Sequence, residues 1–326
     1  LTSVITVNQT ELTPLPKCMV TVDSNSTKNV VVWGKPITEA IDYFSVYRKL
    51  GNGLYSSIAN IDYDSLSQFT DSIHTMFGTS MHEVLQTYLT VMYNDTVKMA
   101  DALPLSDMLL HRMRTNYVNI MKRNGGTEFC KQNDMEEFYQ HGLIILEWFK
   151  KKRANYFSKK GYELVGIEVP INYELPNKIK FIGYMDVVIY DKVRDRYKII
   201  DIKTSTMGWN KYQKADKNKT DQLLLYKQFY GAENNISLDK IDVEYFIVKR
   251  KLYEGLDFPQ RRVQTFSPAS GKPSVNKVIT NLNQFIDESF IDGEHNVNHT
   301  YIKRPTKKNC KWCEFNQTKH CDSGVK

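Results

Sequence analysis

Long apolar runs are missing from this sequence. No segment contains 18 consecutive apolar residues, so no transmembrane helix is expected. Residues 1–4 lack the charged start and apolar core of a signal peptide, which favours a cytoplasmic location. Cysteine is scarce as well: the five cysteines are odd in number and three crowd at the C-terminus, which excludes a regular disulfide framework and fits a reducing compartment.

A strong excess of one charge is also missing, but the basic residues are clustered. The chain has 44 basic and 37 acidic residues, a net charge of +7. The clusters lie at residues 150–160, 249–251 and 303–311. Clustered positive charge favours a polyanion such as DNA through counterion release. Solvated helix faces and turns explain any one cluster equally well.

Hydrophobic periodicity predicts a mixed α/β core that follows a large helical N-terminal region. A hairpin is predicted from residues 19–22 and 30–33, and helical spacing dominates residues 36–124 and 135–158. Alternation then predicts a three-stranded meander at 162–173, 179–190 and 197–202. Further strands are predicted at 241–248 and 263–266, and helices at 220–230 and 275–290. We expect an N-terminal elaboration at 1–74, a core domain at 75–290 with a helical insertion at 95–160, and a basic tail at 291–326.

Two acidic residues and a lysine interrupt the second and third strands of this meander. Asp186 follows Gly183 within an apolar strand, and Asp201-Ile202-Lys203 ends the next one. Asp201 and Lys203 point to the same face because strand side chains alternate. A hairpin between the strands brings Asp186 opposite Asp201. Two carboxylates on one face favour a hard divalent cation, and a cation-activated water oriented by a lysine can attack a phosphodiester.

Four other residues accompany this group in a fixed order along the chain. His82 lies four residues after Gly78 where a loop enters a helix, and Glu168 stands among apolar residues of the first strand. Gln222 and Tyr226 lie four apart on one helix face. Each feature alone has an ordinary explanation: a structural histidine, a surface ion pair, or a residue that starts a turn.

Together, these motifs resemble the RecB-type branch of the PD-(D/E)XK nucleases. That branch shows G-x-x-x-H, a Glu-bearing strand, G-x-x-D, D-x-K-T and Q-x-x-x-Y in this order. The sequence has all five between residues 75 and 230, and the D-x-K-T motif is completed by Thr204. The resemblance implies a restriction-endonuclease-like fold, in which a mixed central sheet is flanked by helices.

The resemblance also implies roles for individual residues. His82, Asp186 and Asp201 would bind Mg²⁺ or Mn²⁺ with the backbone carbonyl of Ile202. Lys203 would position the attacking water and stabilise charge on phosphorus. Gln222 and Tyr226 would steady the site and contact the DNA backbone, whereas Glu168 would orient Lys203 or the outer metal shell.

The C-terminal cysteines suggest a second metal site of open identity. Cys310, Cys313 and Cys321 resemble the cysteines of iron–sulfur members such as AddB and the CRISPR-associated adaptation nucleases, with Cys18 as the fourth ligand of a [4Fe–4S] cluster. The gap before Cys321 is longer than usual in that family. A zinc site that uses His320, or reduced cysteines without a metal, are the alternatives.

The function implied by the resemblance is a metal-dependent deoxyribonuclease, an exonuclease rather than an endonuclease, in bacterial or phage recombination, repair or DNA processing. Its expected partner is DNA, as single strands or duplex ends. The sequence contains no G-x-x-x-x-G-K-[ST] motif, so a helicase or recombination partner would be a separate protein. A catalytically inactive DNA-binding protein and an unrelated metalloenzyme or structural α/β protein are the rival hypotheses.

Overall fold

The computed structural model describes most of the chain after residue 71. The described residues are 19–22, 29–32, 43–49, 55–62, 72–123, 125–255, 257–296, 305–311, 313, 316–317, 321 and 323–325. The chain forms two compact units. The first comprises Leu1–Thr70, Pro176–Ile179 and Asn283–Lys326, and the second comprises Asp71–Leu175 and Lys180–Leu282. Both units are discontinuous in sequence, whereas the predicted domains are continuous.

Short antiparallel strand pairs make up the described N-terminal part of the first unit. Strands β1 (Met19–Val22) and β2 (Asn29–Val32) form the predicted hairpin. Strands β3 (Tyr43–Lys49) and β4 (Tyr55–Asp62) also pair, so the prediction of helices over this stretch is wrong. The two segments are rich in aromatic and β-branched residues, and Gly51-Asn52-Gly53 separates them in the sequence. That composition favours a hairpin over a helix.

Four helices open the second unit: α1 (Ile73–Asn94), α2 (Val97–Asp101), α3 (Leu105–Arg123) and α4 (Gln132–Lys152). The Ser72 hydroxyl accepts a hydrogen bond from the backbone N–H of Thr75 and so caps the start of α1. Residues at helical spacing bury one face of α1, among them Met81, Val84, Leu85 and Tyr88. This face packs into the main core of the unit together with sheet residues Ile200, Ile202 and Phe246.

A mixed five-stranded sheet follows: β5 (Tyr162–Glu174), β6 (Lys180–Asp191), β7 (Arg196–Ser205), β8 (Ile241–Lys249) and β9 (Val263–Phe266). Strands β5, β6 and β7 form the predicted antiparallel meander. Strand β8 pairs with β7 in parallel and with β9 antiparallel. The parallel pair requires a crossover connection, which helices α5 (Lys211–Ala215) and α6 (Lys217–Asn234) provide.

Helices α1 and α6 cover opposite faces of the sheet. Ile200, Ile202 and Phe246 face the core around α1, whereas the Tyr245 hydroxyl donates a hydrogen bond to the backbone carbonyl of Lys219 at the start of α6. Successive strand residues point to opposite faces, so Asp201, which pairs with Tyr245, faces α6. The sheet flanked by helices agrees with the predicted fold class.

The remaining elements lie near the C-terminus. They are α7 (Lys272–Ser289), the two-residue strands β10 (Phe290–Ile291) and β11 (Glu294–His295), and α8 (Lys307–Cys310). Within the second unit, Val275 and Val278 of α7 form a small apolar cluster with Leu224 of α6. In the described part of the chain, no helix combines the length and apolar character needed to cross a membrane.

Candidate active site

The site lies where β6 and β7 stop pairing with each other. Their ladder ends at the pair Val187 and Ile200, one residue before Asp186 and Asp201 would meet. Beyond this point the Asp186 carboxylate takes the place of a strand partner: its Oδ2 accepts the backbone N–H of Ile202 at 2.6 Å. The separation of the two strands lets side chains from both faces of the sheet reach the same carboxylates.

Asp201 is the most buried of the acidic groups at this site. Its residue is 2% exposed, and Lys203 Nζ lies 2.8 Å from its Oδ2. The contact is a close, charge-assisted ion pair, and no other described residue donates a hydrogen bond to this oxygen. Burial raises the pKa of Asp201 to about 6, partly offset by Lys203, and the Asp186 carboxylate adds to the rise. A buried carboxylate oxygen without a donor is costly unless a cation meets it.

Asp186 has a similar electrostatic environment. Burial raises its pKa to about 6, against the opposing effects of Lys203 and of the Ile202 N–H. The pKa of Lys203 is lowered by burial, but Asp201 and Asp186 more than offset that effect and the net shift is upward. Lys203 therefore carries its charge at neutral pH and faces two carboxylates that are held in a partly dry environment.

His82 reaches this group from α1. Its Nδ1 lies 3.6 Å from Asp186 Oδ2, and the backbone of Ile202 hydrogen-bonds the imidazole. Burial, and secondarily Lys203, lowers the pKa of His82 to about 4, so the ring is neutral at physiological pH and able to ligate a metal. Gly78 explains the spacing of the motif, because a Cβ there would lie 2.9 Å from Thr204 Oγ1. The glycine lets α1 approach the end of β7 closely.

Glu168 lies on β5, opposite Asp186 on β6, because its neighbours Ile167 and Val169 pair with Val187 and Met185. Its backbone has φ 48°, in the left-handed region that a non-glycine residue seldom occupies. Sequence reasoning missed the residue that holds it: Gln86 Nε2 donates to Glu168 Oε1 at 2.6 Å. Gln86 is 7% exposed. The signal was its position one helical turn after His82, on a face otherwise apolar.

Gln222 and Tyr226 approach from α6, on the other face of the sheet. Gln222 Nε2 donates to the Tyr226 hydroxyl at 3.1 Å. Burial raises the pKa of Tyr226, and Asp201 is among the charges that act on it. The Gly183 position is again a close approach, since a Cβ there would lie 2.7 Å from Tyr226 Cε1. The glycines of two motifs therefore bring one helix on each face against the strands.

The side chains predicted for the site thus come together in the second unit. They are His82, Glu168, Asp186, Asp201, Lys203, Gln222 and Tyr226. The donor set of two carboxylates and a neutral imidazole suits a divalent cation, and among the described residues the buried Asp201 Oδ2 has no donor other than the Lys203 ammonium. Among the described residues, however, no three His, Cys, Asp or Glu side chains already converge as a group that could hold a metal. The Lys203 ammonium is the cation that contacts Asp201 here.

The basic clusters found in the sequence are largely engaged in internal contacts. Lys150 Nζ donates to the Asp101 carbonyl, and Arg153 pairs with the Asp101 carboxylate at 2.8 Å. Arg250 is buried over the Phe138 ring, 3.9 Å from its centroid, and pairs with Glu137. The first two clusters therefore stabilise the fold to a large extent. Lys303 and Arg304 of the third cluster lie outside the described residues.

The C-terminal cysteines show no metal group among the described residues. Cys310 is buried, Cys313 and Cys321 are partly buried, and none of the three forms a disulfide with a described residue. Cys18 and His320, the predicted fourth ligands, lie outside the described residues. The structure therefore gives no support to the predicted iron–sulfur or zinc site.

Comparison with known families agrees with this geometry. The sequence matches the family model of the PD-(D/E)XK nuclease superfamily over residues 58–318, which is most of the chain. The chain belongs to the PD-(D/E)XK nuclease superfamily. The predicted fold class is confirmed, since the five-stranded mixed sheet flanked by helices is consistent with a PD-(D/E)XK nuclease. No curated protein shows significant sequence similarity to this PD-(D/E)XK chain.

Proposed function

We propose that this protein is a Mg²⁺- or Mn²⁺-dependent deoxyribonuclease of the RecB-type branch that acts on DNA ends as an exonuclease. The observation that carries the proposal is the buried Asp201 carboxylate, which lies beside Asp186 and His82 and is met by the Lys203 ammonium at 2.8 Å. The order of the five sequence motifs, which resembles that of the RecB-type branch, supports the choice of branch. The branch further suggests recombination, repair or phage DNA processing as the setting, with any helicase as a separate partner.

Asp186, Asp201 and His82, with the backbone of Ile202, are the groups that would hold the cation. The chemistry that a divalent cation supplies when bound is charge stabilisation at phosphorus and a lowered pKa for an attacking water. Lys203 carries a positive charge beside Asp201 and orients that water while it offsets charge that develops on the phosphate oxygens. Gln222 fixes the Tyr226 hydroxyl by its hydrogen bond, so that Tyr226 is held toward the substrate backbone.

Incubation with labelled DNA tests the proposal. Linear and closed circular substrates, single-stranded and duplex, are incubated with Mg²⁺, Mn²⁺ or EDTA. We expect metal-dependent release of short products from linear DNA, no cleavage of the circles, and no reaction in EDTA. Cleavage of circular DNA would show an endonuclease, and DNA binding without any cleavage would favour an inactive DNA-binding protein.

Two substitutions locate the activity. Lys203→Ala and Asp186→Ala should each lower kcat on the order of 10³-fold and leave DNA binding in place. Lys198→Ala is the matched control, because Lys198 lies on the same strand but outside the site, where its ammonium pairs with Glu244 at a distance of 2.7 Å. Near wild-type cleavage by either site variant would place the catalytic centre elsewhere.

A further inference from the structure

The connection between β7 and α6 carries an unusual set of basic residues that the proposed catalytic site does not use. We call residues 209–219 the lysine–ring segment. It contains four lysines and one acidic residue, Asp216. It begins four residues after Ser205, which ends β7 only two residues beyond Lys203. None of its lysines belongs to the three clusters that stood out in the sequence.

Three of these lysines lie over aromatic rings. The ammonium-to-centroid distances are 5.1 Å for Lys211 and Tyr212, 5.6 Å for Lys214 and Phe266, and 5.5 Å for Lys219 and Trp209. Ring contacts of this kind restrain a lysine but leave its charge uncompensated, unlike an ion pair with a carboxylate. The segment therefore presents positive charge in defined places.

This positive charge is not cancelled locally. In the part of the chain that the structure describes, no carboxylate pairs with Lys211, Lys214 or Lys249. Lys249 ends β8 and lies against the start of the segment, since a Cβ on Gly208 would be 3.1 Å from its Cε. Burial lowers the pKa of Lys249, and the nearby Lys214 adds to that effect. Like charges gathered without acidic partners favour a polyanion.

Tyr212 is the most exposed aromatic residue of the segment. Its residue is 73% exposed, so its ring contributes little to folding. Its backbone is nonetheless fixed, because Asn210 Oδ1 accepts the N–H groups of Tyr212 at 2.9 Å and Gln213 at 3.0 Å. Gln213 Oε1 in turn accepts the N–H of Asn210 at 3.0 Å. A solvent-facing ring on a fixed backbone between lysines is suited to stacking on an unpaired base.

We propose that the lysine–ring segment binds single-stranded DNA, with Tyr212 stacked on a base and Lys211 and Lys214 on the phosphates. Within a duplex the bases stack on each other and offer no free face except at the terminal pair, whereas every base of an unpaired strand can stack on Tyr212. Ser205, at the end of β7, lies about 7 Å along the strand from Lys203. That distance corresponds to about two nucleotides of a stacked DNA strand. The inference rests on the proposed function for its choice of DNA, and it names the strand form that enters the site.

Fluorescence anisotropy with a labelled oligothymidylate in EDTA tests this inference without cleavage. Tyr212→Ala should weaken binding about 10-fold, within the range of about 5- to 150-fold known for loss of a base stack. Tyr212→Phe keeps the ring and should bind like the wild type. Lys211→Gln combined with Lys214→Gln should lower the slope of log K against log salt by about 1.4, or about 0.7 per lost phosphate contact. Lys192→Gln combined with Lys240→Gln is the charge-matched control, because Lys192 follows β6 and Lys240 precedes β8 at the opposite end of the sheet.

The outcomes separate this inference from the proposed function. Equal single-strand affinity of Tyr212→Ala and wild type would overturn it, as would equal weakening for duplex and single strands. Stronger Tyr212-dependent binding of RNA than of DNA would overturn the assignment to DNA. The same proteins are then assayed for cleavage with Mg²⁺. Tyr212-dependent binding in a protein that never cleaves would refute the proposed function and leave the DNA-binding surface intact.

Discussion

Replacement of Gln86 by methionine removes one hydrogen-bonding amide from the edge of the site and leaves the volume of the side chain almost unchanged. The donor is directed at Glu168, which holds a left-handed backbone conformation with φ 48°. A hydrogen bond of this kind contributes about 1 kcal/mol net, and we use this lower value because Glu168 is exposed and water can replace the donor. If the whole effect appears in the transition state, kcat for DNA cleavage should fall about fivefold.

A double-mutant cycle shows whether Gln86 acts through Glu168. In a Glu168→Ala background, Gln86→Met should change kcat by less than about twofold, because the 2.6 Å partner is gone and only the longer bond to the Asp186 backbone carbonyl, at 3.4 Å, remains. Gln140→Met is the matched control, since Gln140 makes the same kind of bond to Glu136 at 2.7 Å on an exposed helix face. An equal loss of kcat with and without Glu168 would refute the reasoning. Urea unfolding in EDTA, measured in parallel, detects any loss that reflects stability alone.

Three other predictions concern packing, protons and the second helix. Gly78→Ala should reduce the free energy of unfolding by about 1–3 kcal/mol through overpacking against Thr204, and Thr204→Ala should restore it in a urea titration. The affinity for Mn²⁺, measured by calorimetry, should fall as the pH drops through 6, because protons then compete for Asp186 and Asp201, whose pKa values are about 6. An affinity that does not change between pH 8 and pH 5 would contradict this prediction. Gln222→Ala should lower kcat less than loss of either carboxylate, because only a positioning contact to the tyrosine hydroxyl is lost; an equal loss would place it in the metal site.

The elements that could be predicted from the sequence are those whose apolar pattern is strong. Alternation in β5 and β6, and in β8 up to its apolar end at residues 245–248, predicted these strands to within about a residue at each end. The prediction of helices for the stretch that contains β3 and β4 was wrong, because short aromatic segments can fit a helical spacing by chance. The hairpin that they form depends on the turn between them. Helix and strand propensities do not predict whether two such segments lie side by side in the folded protein.

The site itself was predictable only as a set of residue types in order. His82, Asp186 and Lys203 could be chosen because a charged or ionisable group within an apolar segment needs a partner. Gln86 could not, since a neutral amide on a helix has many ordinary uses and its partner is 82 residues away. The end of the ladder between β6 and β7 was also hidden, because alternation continues through the residues where pairing stops.

The bond between Asp186 and the Ile202 amide gives the protein an internal spectroscopic reporter. In an ordinary ladder, an amide proton is hydrogen-bonded to a carbonyl of the partner strand, and its chemical shift does not report on the ionisation of a side chain. Here it is directed at a carboxylate oxygen at 2.6 Å, so its resonance depends on whether that oxygen is charged, protonated or shared with a cation. A single backbone signal in a ¹⁵N-labelled sample can therefore follow proton and metal occupancy at the site, with no label placed inside it.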